Sequence, residues 1–299
     1  MPLADDLIVY PAHGAGSACG KNMMKETTDL LGNQKKVNYA LKQPDRNSFV
    51  KAVTEGLSSP PAYFPENVEM NKKGYISLDE VKNKGLTKLT PVEFEALSNQ
   101  GDVLILDTRN ADSFSKGFVP GSINIGLDGQ FAPWVGALIP GVKQAIILVC
   151  EEGKEEETVI RLSRVGYDHT LGFLNGGMEA WKSAGKMFDT IHRITAEEFS
   201  SNYKKDNLVI DVRRENEYST EHVESSINRP LDVINEWTSG IDNDKHFFLH
   251  CQGGYRSMIA ASILKARGIS NFSEIAGGYA AIKNTDMRLV GMVNTTTKI

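Results

Sequence analysis

The chain has 299 residues, enough for about two domains at the usual size, with 40% hydrophobic and 24% charged residues, the balance of a globular protein. Its apolar runs, such as 145–150, are strand-sized and far short of the ~20 residues of a membrane span, and residues 1–6 carry no basic secretory segment. A net charge of −5 excludes a basic nucleic-acid footprint, and three distant cysteines without a CxxC pair exclude a disulfide framework and point to a reducing cytoplasm.

In chain order, a predicted strand at 7–10 runs into a Gly-rich turn bearing His13 and Cys19. Helices are predicted at about 21–31 and 46–55, followed by Pro60-Pro61-Ala62-Tyr63-Phe64-Pro65-Glu66-Asn67. A lone His after a strand is more often structural than a metal ligand.

Residue 88 opens a tandem repeat. Leu104-Ile105-Leu106-Asp107-Thr108-Arg109 recurs as Leu208-Val209-Ile210-Asp211-Val212-Arg213, and Gly121-Ser122-Ile123-Asn124 as Ser225-Ser226-Ile227-Asn228, both offset by 104. Cys150 and Cys251, and Gly176-Gly177 and Gly277-Gly278, are offset by 101. A period near 100 residues is too long for a solenoid and reads as two copies of one domain. The predicted boundaries are 1–87, 88–190 and 191–299.

Each copy begins with a capping box, Thr90 with Glu93 and Thr195 with Glu198. A strand ending in Asp-x-Arg follows, then a short helix (111–116 or 215–221). A strand through Ile123 or Ile227 comes next, then an apolar strand (146–149 or 247–249) ending on its Cys. An amphipathic helix (258–267 in the second copy), a fourth strand (171–174 or 272–275), Gly-Gly and a last helix complete the unit. Strands alternating with helices predict an α/β fold with mostly parallel sheets covered by helices. Each Cys then lies at the carboxyl end of a strand, where such sheets place ligands.

The second Cys loop reads Cys251-Gln252-Gly253-Gly254-Tyr255-Arg256-Ser257. Two glycines let backbone N–H groups converge, the following helix adds partial positive charge, and Arg256 offers a guanidinium for an anion. All three favour negative charge on the Cys251 sulfur, the nucleophilic form. Four residues separate Cys251 from Arg256, one fewer than in Cys-dependent phosphatases and arsenate reductases, whose loops wrap three phosphate oxygens.

On these residues both copies resemble the rhodanese homology domain, over roughly 88–186 and 192–286. The resemblance implies a sulfurtransferase. Cys251 would take the outer sulfur of thiosulfate or a low-molecular-weight persulfide and pass it to an acceptor thiol. Gln252, Gly253, Gly254, Tyr255, Arg256 and Ser257 would form the donor site, with Arg256 orienting the donor's acid group and Gln252 and Tyr255 at the rim. The first copy departs: Glu155 stands at the Arg position and carboxylates crowd Cys150, so it reads as degenerate. The expected reason is that their field raises the thiol pKa and repels anionic donors. Lys154, serving a cationic or neutral persulfide, is the alternative for that copy.

The string around His13 resembles the C-terminal end of a metallo-β-lactamase fold in its persulfide dioxygenase branch, known in fusions with rhodanese domains. The resemblance implies a remnant, because the His-x-His-x-Asp-His motif of that fold is absent; a truncated product or gene fragment is expected. Residues 7–10 would then be frayed or repacked. No metal and no cofactor are expected. The partners expected are a sulfur donor and a thiol acceptor, with neither nucleic acid nor membrane, and with a homo-oligomer or a persulfide dioxygenase domain as further partners. The rival readings are a non-catalytic persulfide-binding or docking module and a Cys-dependent phosphatase or arsenate reductase. Asp211 and Arg213 read as structural, for instance with Arg213 paired to Glu217; His250 should point away from Cys251; Trp181 and Trp237 read as core or interface aromatics.

Overall fold

The computed structural model describes residues 2–11, 26–55 and 63–291. Contacts divide the chain into two compact units, Met1–Pro60 and Pro61–Ile299. No helix of the described residues is long and apolar enough to cross a membrane.

In the first unit, β1 (Ile8–Val9) pairs antiparallel with β2 (Asp29–Leu30), so the strand predicted at 7–10 has found a partner. His13 and Cys19 lie outside the described residues. The predicted helix at 21–31 does not form over its described part. The Asp29 carboxylate accepts hydrogen bonds from the Leu30 N–H and from the Asn33 and Gln34 side chains. Those bonds favour an extended Asp29, and the helix starts only at Leu31 and runs to Val37. The helix Arg46–Thr54 is capped by Asp45, whose side chain accepts the Ser48 N–H.

The second unit opens with two helices, Phe64–Lys73 and Leu78–Gly85, the latter capped by Ser77. Both lie against the first repeat. A Cβ on Gly136 would fall inside the Tyr63 ring, and one on Gly85 would meet Val159 at 2.9 Å, so glycine permits both approaches.

The first repeat contains β3 (Lys88–Leu89), β4 (Val103–Asp107), β5 (Ile123–Asn124), β6 (Ala145–Val149) and β7 (Thr170–Leu174). The second contains β8 (Arg193–Ile194), β9 (Leu208–Asp211), β10 (His222–Val223), β11 (Ile227–Asn228), β12 (Phe247–His250) and β13 (Phe272–Ile275). The β10 strand instead pairs antiparallel with β14 (Leu289–Val290). The two main sheets are parallel and equivalent, ordered β3-β7-β6-β4-β5 and β8-β13-β12-β9-β11. Both capping boxes form. The chain is thus an α/β protein with two copies of one five-stranded fold.

Central strands covered on both faces are apolar throughout: Ile146, Ile147, Leu148 and Val149 are all fully buried. The helix Tyr255–Ala266 is buried at every position from Ser257 to Leu264. It begins three residues before the predicted start, because Gly254 adopts φ +96° and turns the chain directly from the Cys loop into the helix. Its Met258, Ile259 and Leu264 share one apolar cluster with Leu106, Ile125 and Leu148 of the first repeat. Across that contact Ser262 Oγ accepts the Asn124 N–H at 2.9 Å. Expected to be amphipathic, the helix is instead buried around its whole circumference, and the double burial explains this.

Candidate active site

The strand β12 delivers Cys251 to the carboxyl end of its sheet, next to the start of the helix Tyr255–Ala266. The thiol is buried at the base of a cleft of about 360 Å³. The Gly254 N–H points at Cys251 Sγ at 3.2 Å. Gly254 is required twice. Its φ of +96° is a left-handed conformation, and a Cβ there would meet Arg193 Nη2 at 3.0 Å. From the other side, the Gly277-Gly278 turn brings a second helix start against the loop. The Tyr279 N–H donates to the Cys251 carbonyl at 2.7 Å and the Ala280 N–H to the Gln252 carbonyl at 3.0 Å. A Cβ on Gly278 would lie 2.4 Å from the Cys251 carbonyl oxygen, whereas at Gly177 the matching distance to Cys150 is 4.0 Å; what both copies share is the left-handed φ of both glycines.

Arg256 forms two hydrogen bonds with the Glu217 carboxylate, Nη1 to Oε2 at 2.6 Å and Nη2 to Oε1 at 2.7 Å. This bidentate pair holds the Glu217 carboxyl below its ordinary value. The guanidinium expected to face an incoming anion is therefore engaged with a residue that also lines the cleft. Arg214 lines the same cleft, is exposed and has no ion-pair partner among the described residues.

Glu217 is not the partner of Arg213. In both repeats the Asp-x-Arg turn closes on itself: the Asp211 carboxylate accepts the Arg213 N–H and Nε, as Asp107 does for Arg109. Adjacent positions on one tight turn satisfy each other before either reaches a neighbouring helix. Arg213 then reaches Gln252 Oε1 at 3.3 Å and lies 4.0 Å over the Tyr279 ring, bracing the loop from behind. His250 is fully buried, with Nδ1 at 3.2 Å from the Cys251 carbonyl and Nε2 without a hydrogen-bond partner. Burial holds its pKa below the ordinary value.

Ser257 sits between Cys251 and a buried carboxylate. Its Oγ is 3.4 Å from Cys251 Sγ and 2.6 Å from Glu274 Oε1. Glu274 is wholly buried on β13, with Oε2 accepting Arg193 Nε at 2.6 Å, and Arg193 also pairs with Asp112 of the first repeat. Burial pushes the Glu274 carboxyl up, and the Arg193 charge opposes that. Sequence reasoning missed Glu274, although a charged residue within the apolar run Phe272-Ser273-Glu274-Ile275 was a signal. The equivalent position of the first repeat, counted back from Gly-Gly, is Phe173.

The first repeat also contributes Gly129, Gln130 and Trp134 to the cleft wall. Tyr255 lies against it: its hydroxyl donates to the Gly126 carbonyl at 2.7 Å, and a Cβ on Gly129 would be 2.3 Å from its ring. Tyr255 is thus wall as well as rim.

The first Cys differs in kind. Burial pushes the Cys150 thiol up to about 12, with Glu155 adding a smaller push in the same direction. The expected cause, crowded carboxylates, is secondary to burial, and two of those carboxylates are drawn into ion pairs. Glu156 pairs with Lys82, and Glu157 with Lys154 and Arg161. Among the described residues no backbone N–H reaches Cys150 Sγ; its contacts are with hydroxyl oxygens, such as Thr158 Oγ1 at 3.6 Å. No group of three or more His, Cys, Asp or Glu placed to hold a metal ion is found among the described residues.

The sequence matches the rhodanese-like domain family over residues 90–184 and 195–285. It is 36% identical to the protein YqhL of Bacillus subtilis over 86 residues, 29% of this chain and 68% of that protein. It is 25% identical to the thiosulfate sulfurtransferase GlpE of Coxiella burnetii over 80 residues, 27% of this chain and 75% of that one. Among solved structures it resembles a metallo-β-lactamase from Staphylococcus aureus at 25% identity and a TM-score of 0.42, covering 58% of this chain and 46% of that one.

Proposed function

Because the chain belongs to the rhodanese-like family, we propose that its second repeat is a sulfurtransferase. It moves sulfane sulfur from thiosulfate or a low-molecular-weight persulfide to a thiol acceptor. The observation that carries this reading is the Gly254 N–H aimed at Cys251 Sγ in a small cleft. That donor favours negative charge on the sulfur, and the loop from Cys251 to Arg256 is one residue shorter than a loop that wraps a phosphoryl group.

The Cys251 thiolate attacks the outer sulfur of the donor. An Sγ–S bond forms, and the donor's own bond to that sulfur breaks with its electron pair leaving on sulfite or a thiolate. An acceptor thiolate then attacks the outer sulfur of the Cys251 persulfide and returns Cys251 to its starting state. The four-residue spacing to Arg256 disfavours a phosphatase or arsenate reductase. A docking module that forms the persulfide without passing it on is the other reading.

The test is intact-mass analysis after thiosulfate or persulfide treatment. The expected result is a gain of about 32 Da on Cys251, lost on adding a thiol. A gain that survives Cys251→Ser defeats the proposal, as does no gain; a gain that no acceptor removes selects the docking module. We extend the reading to residues 1–87 as derived from a metallo-β-lactamase fold, supported by the string around His13, and to cytoplasmic association with a persulfide dioxygenase domain or with a second copy.

A further inference from the structure

Glu274 is a wholly buried carboxylate that the sulfur transfer just described leaves without a part to play. It stands one hydroxyl away from the nucleophile. Ser257 has a single hydroxyl proton, and the 2.6 Å contact to Glu274 Oε1 claims it over the 3.4 Å contact to Sγ. The Ser257 Oγ lone pair then faces Sγ as an acceptor. The chain reads Sγ–H to Oγ, then Oγ–H to Oε1, which is the direction that takes a proton off the thiol.

We infer that Glu274, acting through Ser257, stores the Cys251 thiol proton while the sulfur is a nucleophile and returns it to Cys251 when an acceptor has taken the transferred sulfur. In the forward step the Sγ proton passes to Ser257 Oγ as the Ser257 proton passes to Glu274. The thiolate takes the outer sulfur, and the donor's S–S bond breaks with its electron pair on the leaving thiolate, so that Cys–SH, Glu274 carboxylate and R–S–SH become Cys–S–SH, Glu274 carboxyl and R–S⁻. When an acceptor thiolate removes the outer sulfur, the freed Cys251 thiolate takes the proton back from Glu274 along the same path, and no oxidant or reductant is required. The inference rests on Cys251 being the nucleophile proposed above.

The surroundings suit a store that must both take and release a proton. Arg193 on β8 faces Glu274 and favours its ionised form, and Asp112 of the first repeat tempers Arg193. Burial favours the neutral form. On the nucleophile side, Arg256 is held by Glu217, and the buried His250 makes its ring contact with the Cys251 carbonyl. In the first repeat Phe173 replaces the carboxylate, and Cys150 has no such path.

The test needs no sulfur donor, so it separates failure of the relay from failure of the sulfurtransferase reading. The rate of Cys251 alkylation by iodoacetamide is followed by peptide mapping from pH 5.5 to 8.5. In the wild type the rate should level off below neutral pH. The two forms Sγ–H/carboxylate and thiolate/carboxyl interconvert without exchanging a proton with solvent, so their ratio does not depend on pH. Glu274→Gln and Ser257→Ala should each replace that plateau by a fall of about tenfold per pH unit, the behaviour of a lone titrating thiol. Glu274→Asp should recover part of the plateau. Parallel profiles for wild type and Glu274→Gln overturn the inference, as does a plateau surviving in Ser257→Ala. If Glu274→Gln fails to fold, Ser257→Ala, which removes one hydroxyl, decides alone.

Discussion

The two cysteine loops grow from the same scaffold and end in opposite chemistry. Strand order, capping box, Asp-x-Arg turn and Gly-Gly turn are shared. Cys251 meets a backbone N–H, a serine and a buried carboxylate. Cys150 is surrounded by hydroxyls, with carboxylates turned outward to Lys82, Lys154 and Arg161. Burial is common to both thiols, so burial alone does not make a reactive sulfur. What differs is whether polar groups point at the site the charge will occupy.

The largest expected effect breaks the comparison outright. Cys251→Ser should lower sulfur transfer by three orders of magnitude or more, about 4 kcal/mol of barrier, whereas Cys150→Ser should leave turnover within about twofold. In the same native protein at pH 8, alkylation should label Cys251 and spare Cys150, whose thiol is held near 12; equal labelling would erase the distinction. Gly254→Ala comes next. It combines a left-handed backbone with a 3.0 Å approach to Arg193, a strain of roughly 1–3 kcal/mol, and single-turnover persulfide formation should slow by about tenfold or more.

Glu217→Gln should then sharpen the role of Arg256. Freed of its carboxylate partner, the guanidinium becomes available to a sulfonate, and the KM for thiosulfate should fall several-fold while kcat changes little. An unchanged KM would show that the pair is not what limits donor binding. The smallest effect concerns stability. His250 is kept neutral in the folded chain, while the unfolded chain takes up a proton below the ordinary value of 6.5. The unfolded state therefore binds more protons in that window, and stability falls as pH drops below 6.5. His250→Gln should flatten the urea midpoint between pH 7.5 and 5.5; an unaltered slope would assign the acid sensitivity elsewhere.

Much of this was legible because the chain states its fold twice. Asp107 with Arg109 and Asp211 with Arg213 marked equivalent strand ends, and Thr90 with Glu93 and Thr195 with Glu198 marked equivalent helix starts. The helix Phe131–Leu138 was not legible. Its Pro133 and Gly136 obscure the helical pattern, although proline is tolerated in a first turn and Gly136 is where Tyr63 needs room. The two-residue strands β3 and β8 are too short for any alternation to show. The pairing of Arg256 with Glu217 was out of reach for another reason. Both residues were visible, but partner choice depends on distances that open only once Asp211 has claimed Arg213. Contacts between the copies, such as Tyr255 with Gly126, join residues 129 apart and leave no local trace.

The helix that follows Cys251 has its inner side on its own sheet and its outer side on the other copy. That arrangement sets the terms on which the chain can diverge. The first copy can shed its nucleophile chemistry, because nothing downstream uses Cys150. It cannot lightly change Gly129, where a Cβ would lie 2.3 Å from the Tyr255 ring, whereas positions 124 and 126 serve Ser262 and Tyr255 through backbone groups. Selection on the working sulfur is thereby extended to a glycine in the neighbouring copy. A lineage comparison should find Gly129 retained wherever an aromatic residue stands at 255, while the residues around Cys150 drift.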